Sequence, residues 1–539
     1  MSTTVSATPQ TLTDAVAAIV GARGEQLAVR DREGTVRYSW RELHGAAACV
    51  AAGLAGLGVG RDATVGLLLT NRPQFHVADL ATVMLGAVPV SIYATSSPEQ
   101  VAHVADDAGL RVLITEPAFA ATARAALAGR GCALVVLDGA ASEPGEIAWE
   151  TLTASPPLPE PVAASPDDLL TIIYTSGTTG PPKGVELTHR NLLTATRVIG
   201  EINGIEAGGR VICWLPLAHI AERIASWYAP VLFGLEVTTC PDPRQIGAAL
   251  REVRPNWFFA VPRVWEKLRA GAQAAQAANP GLEPAQLRAA LGLDQVLAAN
   301  IGAAPSAPEL IEYFHTIGVP LAEIYGMSEN CACCTCNPPG AIRVGTVGPA
   351  LPGVELRLAE DGELLMRSET VMRGYRGLPE ATAAAIDGDG WLRTGDVGNI
   401  DDDGYLRIVD RKKELIISAG GKNMSPSSIE AAIKTRSPLI GHICVVGDGR
   451  PFNVALIVPD PDLLGDRAAD DAEVRAAIEA AVAGGNATLS RAEQVKRFAV
   501  LSDDWAAGGE ELTPTLKLKR RGIETRHAGA IDALYEVAS

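Results

Sequence analysis

YTSGTTGPPKG occupies residues 174–184 and follows directly on the apolar run LLTII at 169–173. Three glycines (Gly177, Gly180, Gly184), four small hydroxyl side chains (Thr175, Ser176, Thr178, Thr179) and one lysine, Lys183, share this short stretch. Glycine lets a backbone approach a ligand closely and offer its N–H groups. The hydroxyls add donors, and the lysine adds a point charge. Such a loop suits a phosphate that must be gripped and then released. The stretch departs from a Walker A loop, which requires G-x-x-x-x-G-K-[ST]. Counted from Gly177, Pro182 replaces the second glycine, and Gly184 stands where the magnesium-binding hydroxyl would follow. GVGRDA (58–63) has the spacing of a dinucleotide fingerprint, but it precedes a strand instead of joining a strand to a helix.

Working outward, strand-like and helix-like segments alternate. VGLLL (65–69), a helical pattern over 72–86, VPVSI (88–92), a helix starting near Ser97, RVLIT (111–115) and ALVVLD (133–138) have the rhythm of βαβ units. A Pro- and Ser-rich connection at 142–166 leads into the opening stretch. The alternation resumes with VICWLPL (211–217), a helix near 220–233, EVTTC (236–240), a helix near 244–252 and WFFAVP (257–262). Ala-rich sequence read as helical then continues to about residue 300. From 342 the texture changes to short alternating runs broken by Gly and Pro, which predict β-hairpins or a small barrel. DDDG at 401–404 reads as a tight turn. Beyond 413 a smaller α/β unit follows, with ELIIS, a helix from Ser427, HICVVGD, NVALIVPD, helices over 471–495 and KRFAVL.

Composition bounds the possibilities. The chain has 539 residues, 47% of them hydrophobic and 20% charged, which fits several packed cores rather than a disordered polymer. A net charge of −17 argues against a nucleic-acid binder and makes the basic runs RKK (411–413) and KLKRR (517–521) conspicuous. No stretch reaches the apolar length of a spanning helix, and HGAAACVAAGLAGLGVG (44–60) reads as a buried helix and turn. The first residues lack a signal-peptide pattern and EVAS matches no address signal, so the expected location is cytoplasmic. Nine cysteines in so long a chain do not make a disulfide framework. CACCTC (331–336) lacks the wider spacing of zinc or cluster sites and reads as small apolar side chains beside a functional loop.

Four more segments accompany the phosphate loop: YGMSEN (325–330), WLRTGD (391–396), DRKKELIISAGGKNMSPSSIE (410–430) and ELTPTLKLKRR (511–521). In this order they resemble the adenylate-forming superfamily of acyl-CoA synthetases, firefly luciferases and peptide-synthetase adenylation domains, over residues 12 to 525. Within it, 71–104, LPLAHIAER (215–223), AVPRVWEKL (260–268) and YGMSENCACC (325–334) look most like long- or medium-chain fatty acid–CoA ligases. The stretch 269–300 is shorter than in many long-chain enzymes, which bears on the outer acyl channel and so on chain length. The resemblance implies an α/β fold: a large N-terminal domain (1–411) of Rossmann-like α/β subdomains with a small β-barrel, and a small mobile α+β C-terminal domain (412–539).

It also implies a reaction in two steps, with ATP, Mg²⁺ and coenzyme A. A carboxylate attacks the α-phosphate of ATP to give acyl-AMP and pyrophosphate, and a thiol then displaces AMP. By resemblance, Thr175, Ser176, Gly177, Thr178, Thr179, Gly180 and Lys183 grip the outer phosphates. Thr175 and Glu329 hold Mg²⁺, a hard cation that prefers oxygen. Tyr325 stacks near the adenine, beside Gly326, Met327 and Ser328, with Gly302, Ala303 and Ala304 as the other wall. Asp396 binds the ribose hydroxyls, supported by Arg411. Lys517 matches the catalytic lysine before paired arginines, with Lys519 as the rival assignment. Lys413 stands at the hinge about which the small domain rotates. Gly420, Gly421 and Lys422 line the pantetheine path. His219 borders the acyl pocket or that path, or is simply a packed histidine.

Two other outcomes share these motifs. One is an acyl-AMP ligase that passes the acyl group to a carrier protein, although the insertion common in those enzymes is not evident. A luciferase-like oxygenase needs no change in the motifs. From a different class, a non-catalytic acyl-nucleotide binding protein is opposed by the intact Lys183, Glu329, Asp396, Arg411 and Lys517. A long acyl substrate is compatible with contact at a membrane surface, yet no amphipathic anchor declares itself. Oligomeric state is not readable.

Overall fold

The computed structural model describes residues 8–139, 141, 143–175, 182–417, 423–503, 505–506, 508–513 and 516–536. Ser176, Gly177, Thr178, Thr179 and Gly180 of the phosphate loop, and Gly420, Gly421 and Lys422, lie outside them.

The opening stretch begins at the end of the third strand of an eight-stranded sheet. Its order runs Gly374–Tyr375, Gly184–Thr188, Leu169–Tyr174, Val88–Ser91, Thr64–Leu68, Leu110–Thr115, Ala133–Val136, Ile147–Ala148. From Leu169–Tyr174 onward the pairs are parallel; the two flanking pairs, through Gly184–Thr188, are antiparallel. Strands of such a sheet are covered on both faces, so both sets of side chains must be apolar. Val112 and Ile114 pack in one core with helices Trp40–Gly56 and Pro73–Met84. Leu110 and Leu113 of the same strand pack in another with helices Pro98–Ala108 and Ala120–Leu127. Ser39 and Ser97 start two of these helices with capping boxes, which answers the otherwise orphaned first N–H groups.

A second sheet orders Arg210–Cys213, Glu236–Thr239, Leu27–Asp31 and Arg37–Ser39. A third orders Trp257–Ala260, Ala298–Ile301, Leu321–Tyr325 and Thr335–Cys336, the first three parallel. This corrects the reading of continuous helix to about 300. Helices span Pro262–Ala278 and Pro284–Leu291, and the Ala-rich AANI that follows is a buried strand. Small side chains carry little periodicity, and burial between two neighbours decided the conformation. The helix read over 220–233 is real but broken: α-helix Ile220–Arg223, a π-turn Ile224–Tyr228, then α-helix Ala229–Phe233.

The hairpin-rich segment forms a four-stranded antiparallel sheet, Glu355–Leu358, Glu363–Arg367, Leu392–Ile400 and Leu406–Arg411. Of the β-hairpins or small barrel expected here, the hairpins are present, and the described strands form an open sheet with Pro349 bridging to Tyr405. The DDDG turn sits where expected, and Gly404 takes the left-handed conformation at φ 85°.

The C-terminal unit has the strands Ile440–Val446, Asn453–Pro459 and Val495–Val500, with Asn453–Pro459 central. Helices Pro426–Lys434 and Ala472–Asn486 cover one face, while Ile523 and Ile531 belong to the core on the other. It docks on helix Pro262–Ala278 of the large unit through charge. Arg263 pairs with Asp460, Lys267 Nζ lies 2.7 Å from Asp462 Oδ2, and Lys434 Nζ lies 3.3 Å from Glu266 Oε2. Asp410, at the end of the large unit, accepts from Ser425 Oγ at 2.5 Å and Ser427 N at 3.2 Å. Among the described residues, no helix is long and apolar enough to cross a membrane.

Candidate active site

Three of the predicted site segments begin where a strand of a parallel region ends. Thr175 follows Leu169–Tyr174, Gly302 follows Ala298–Ile301, and Gly326 follows Leu321–Tyr325. Ligands of α/β sheets bind outside such carboxyl ends, because loops there are free to diverge. Gly302 and Gly326 are required by close approach. A Cβ on Gly302 would stand 2.6 Å from the Ile324 carbonyl oxygen, and one on Gly326 would stand 2.3 Å from the Ala332 carbonyl carbon. Ala303 is held at φ 67°, and Ala304 is exposed. The chain then turns tightly. Met327 N donates to Asn330 Oδ1 at 2.8 Å, Ser328 opens a short 3-10 turn, and Cys331 and Ala332 both take positive φ.

That turn buries Glu329, which is 8% exposed. Its Oε1 accepts from Tyr375 Oη at 2.9 Å. The Tyr375 ring in turn lies under the ammonium of Lys183, 4.8 Å from Nζ to the centroid. Thr175 N donates to the Lys183 carbonyl at 3.1 Å, so the two ends of the phosphate loop are tied together. Lys183 and Glu329 thus meet around Tyr375, a residue the sequence reading missed, and Thr175 is joined to Lys183 through the backbone. The only signal of Tyr375 was GYRG (374–377), a turn-like tetrapeptide with an aromatic residue inside.

Asp396 and Arg411 are cross-strand partners, with Arg411 Nε 3.2 Å from Asp396 Oδ1. The Tyr325 hydroxyl donates to Asp396 Oδ2. Asp396 is 3% exposed, and burial pushes its carboxyl up from the ordinary range, against the pull of Arg411, Tyr325 and Lys517. Gly395, at φ 72°, lies where the pairing of strand Leu392–Ile400 with Glu363–Arg367 shifts register, just before this carboxylate, and the Thr394 hydroxyl donates to the Leu364 carbonyl at 2.8 Å.

Lys517 comes from the small unit. Thr513 N donates to its carbonyl at 2.8 Å, and its own N–H donates to Thr513 Oγ1 at 3.0 Å. Burial first, and then the Arg411 guanidinium, bring the Lys517 ammonium down to about 8; Asp396, Glu329 and Glu414 oppose that. Lys519 Nζ instead donates to the Gly509 carbonyl at 2.8 Å. His219 caps helix Ile220–Arg223, its Nδ1 accepting from Ala221 N at 3.3 Å. Burial, then the Lys517 charge, push its imidazole down to about 3, so it stays neutral. Lys413 is exposed, ahead of the first strands of the C-terminal unit. Cys331, Cys333, Cys334 and Cys336 are buried behind Tyr325, as small apolar side chains.

The sequence matches a family described as AMP-binding enzyme over residues 16–376, and the C-terminal domain of AMP-binding enzymes over 413–539. The chain belongs to the AMP-binding enzyme family. Among its relatives is a Mycobacterium tuberculosis protein provisionally named fatty-acid–CoA ligase fadD11, 47% identical over 69% of this chain and 74% of its own. The long-chain-fatty-acid–CoA ligase FadD15 of the same species is 36% identical over 90% of each chain. The anthranilate CoA ligase AuaEII, solved with anthranoyl-AMP, has the same fold. It superposes with a TM-score of 0.82 at 21% identity, over 98% of this chain and 99% of its own. In this AMP-binding enzyme, among the described residues, the Glu329 carboxylate is held by Tyr375 beside Lys183, and Thr175, which carries a hydroxyl, is tied to Lys183 through its backbone. Carboxylate and hydroxyl are both hard ligands, a set that fits Mg²⁺ shared with phosphate oxygens.

Proposed function

We propose that this chain is an AMP-forming fatty acyl-CoA ligase acting on medium- or long-chain acids. The observation that carries the reading is the pair of side-chain clusters in the large unit, Lys183 and Glu329 about Tyr375, and Tyr325 and Arg411 about Asp396, with Lys517 of the small unit within range of their charges. A group that must act between an acid and a nucleotide belongs at such a junction. The names of the relatives support the fatty acid as the substrate class.

The reaction brings a carboxylate to a polyanion, so neutralising charge is the main task. An oxygen of the fatty acid attacks the α-phosphorus of ATP, and the bond to pyrophosphate breaks. In this reading Lys183 and Thr175 hold the departing phosphates, and Tyr375 fixes both the Lys183 ammonium and the Glu329 carboxylate. Mg²⁺, held by Glu329 and Thr175, supplies further charge neutralisation when bound. Asp396 and Arg411 orient the ribose, and Tyr325 with Gly302 to Ala304 flanks the adenine. Lys517 is long enough to bridge carboxylate and phosphate oxygens, and Lys519 is engaged elsewhere. Coenzyme A then attacks the acyl carbonyl as its thiolate, and AMP leaves. Gly326 to Ser328 line the nucleotide side. Rotation about Lys413 is the assigned route between the steps, with residues 1–411 and 412–539 as the moving bodies and Gly420, Gly421 and Lys422 along the thiol path. The reaction belongs in the cytoplasm, with any membrane contact arising through the acyl substrate.

The deciding experiment is ATP- and Mg²⁺-dependent pyrophosphate release across acids of increasing chain length, with and without coenzyme A. Turnover that depends on coenzyme A and peaks with medium or long acids supports the proposal. A single burst that coenzyme A does not relieve points to a carrier-protein acceptor. Binding of ATP and acid without pyrophosphate release would mark a non-catalytic binding protein.

A further inference from the structure

Helix Pro98–Ala108 carries His103 and Asp107 four residues apart, hence on one face. That face lies against the two anchors of the phosphate motif. His103 Nε2 is 2.9 Å from the Pro182 carbonyl oxygen, immediately before Lys183. A carbonyl only accepts, so Nε2 carries the proton of this bond. One turn on, Asp107 Oδ2 accepts from the Tyr174 hydroxyl at 2.5 Å, immediately before Thr175. The His103 and Tyr174 rings also meet edge to face, with centroids 6.4 Å apart.

The opposite side is closed by Arg376. Its N–H donates to the Gly184 carbonyl at 2.7 Å, its Nη1 reaches Glu186 at 3.2 Å, and its Nη2 donates to the Ala108 carbonyl at the end of the same helix at 3.3 Å. Gly184 is packed so closely that a Cβ would lie 3.0 Å from the Tyr174 ring and 3.1 Å from Arg376 Cβ. The two anchor strands are therefore confined laterally by Gly184 and lengthwise by one rigid helix.

We propose that His103 and Asp107 are positioning residues that hold Lys183 and Thr175 in register for the outer phosphates of the nucleotide. The proposal rests on the acyl-adenylate reading of the site. Neither side chain touches a reacting atom in it; each acts through Pro182 or Tyr174. The physical case is preorganisation. A cation on a long stem binds and stabilises charge well only if its backbone is already placed, since ordering it during binding subtracts from affinity. Positive charge at Lys183 is further located by the Tyr375 face, but a ring restrains direction less than a fixed backbone does.

The test measures both half-reactions in the full-length protein, with direct ATP binding by calorimetry in the absence of acid. His103→Ala and Tyr174→Phe are each expected to raise the KM for ATP, and to weaken ATP binding, about five- to tenfold, the range of one lost hydrogen bond. ATP–pyrophosphate exchange should fall, and thioester formation from supplied acyl-AMP should fall much less. His103→Gln, which restores an N–H donor, is expected to recover most of the loss. Unchanged KM and ATP affinity in both variants overturn the proposal. So does an equal fall of the two half-reactions that tracks a lower Tm and is not rescued by His103→Gln, because that pattern marks packing alone. If the wild-type protein exchanges no pyrophosphate with any acid, the acyl-adenylate reading fails instead. The ATP titrations then still decide whether the clamp orders a nucleotide site.

Discussion

Lys517 and Lys519 differ by two positions in one basic run, and the difference in their surroundings is what gives them different chemistry. Lys517 feels the charges of Arg411, Asp396 and Glu329, while Lys519 is spent on the Gly509 carbonyl. Lys517→Ala is expected to slow acyl-adenylate formation by about 10²- to 10³-fold, the usual effect of removing one charge-stabilising donor. Thioester formation from supplied acyl-AMP should persist. ATP–pyrophosphate exchange checks the first step, and an equal loss in both would remove Lys517 from its assigned role. The same side chain sets a pH dependence. Its ammonium titrates near 8, below the ordinary lysine value, so the charged form dominates below pH 8 and is lost above it. Adenylation kcat/KM is therefore expected to fall as pH rises through about 8. Lys517→Arg, which cannot lose its charge, should erase that limb even if it is slower. The linked effect on stability has the opposite sense. The native state binds fewer protons than the unfolded chain above pH 8, so the cost of burying this ammonium fades as pH rises toward the ordinary lysine range. Tyr375 belongs to the same scale. Its hydroxyl holds Glu329 and its face holds Lys183, so Tyr375→Phe is expected to lower adenylation by about tenfold, for one hydrogen bond to a charged group. A wild-type rate in that variant would show that Glu329 is held by other contacts.

Elements were legible where burial and periodicity agree. The parallel strands of the large sheet read as short apolar runs, and the helix read from near Ser97 begins there, with a capping box. The strand Ala298–Ile301 was missed because alanine favours helix locally, and only two flanking strands, absent from any local window, make it extended. Tyr375 was missed for a related reason. Its partners Glu329 and Lys183 are distant in sequence, so no spacing rule joins them. Motif residues were read as a set through the family resemblance, and loops at strand ends are what bring them together in the fold. One such loop depends on a glycine that no side chain can replace in place. Gly326→Ala would press a methyl against the Ala332 backbone, which is not the movable end of a side chain. The change is expected to destabilise the protein by about 1–3 kcal/mol, as overpacking does. It should also weaken adenylation, since Tyr325 precedes the strained turn and Glu329 lies within it. Urea unfolding together with ATP–pyrophosphate exchange reads both effects, and an unaltered midpoint would show that the turn relaxes freely.

At the scale of the molecule, the small unit is docked on helix Pro262–Ala278 by charge pairs rather than by a continuous apolar face. Arg263 meets Asp460 and Glu266 meets Lys434, with all four side chains largely buried. Arg263→Met leaves the Asp460 carboxylate without this partner while keeping the volume, and it is expected to loosen the docking that delivers Lys517. Pyrophosphate exchange should fall by about tenfold, with thioester formation less affected, because breaking an enclosed pair costs more than breaking an exposed one. Equal rates in both steps would show that docking is held elsewhere. Division into two units has a further consequence, carried by the cysteines. Cys331, Cys333, Cys334 and Cys336 are sealed within the large unit, and Cys444 within the small one beside Arg520. Burial holds the Cys333 and Cys444 thiols up at about 12, so neither is a thiolate at neutral pH in the folded state. Each becomes open to alkylation only when its own unit opens. The protein therefore contains a built-in clock for local unfolding. The order in which a thiol reagent labels Cys444 and the CACCTC cluster ranks the opening free energies of the two units, and saturating nucleotide should slow both clocks if it ties them into one cooperative body.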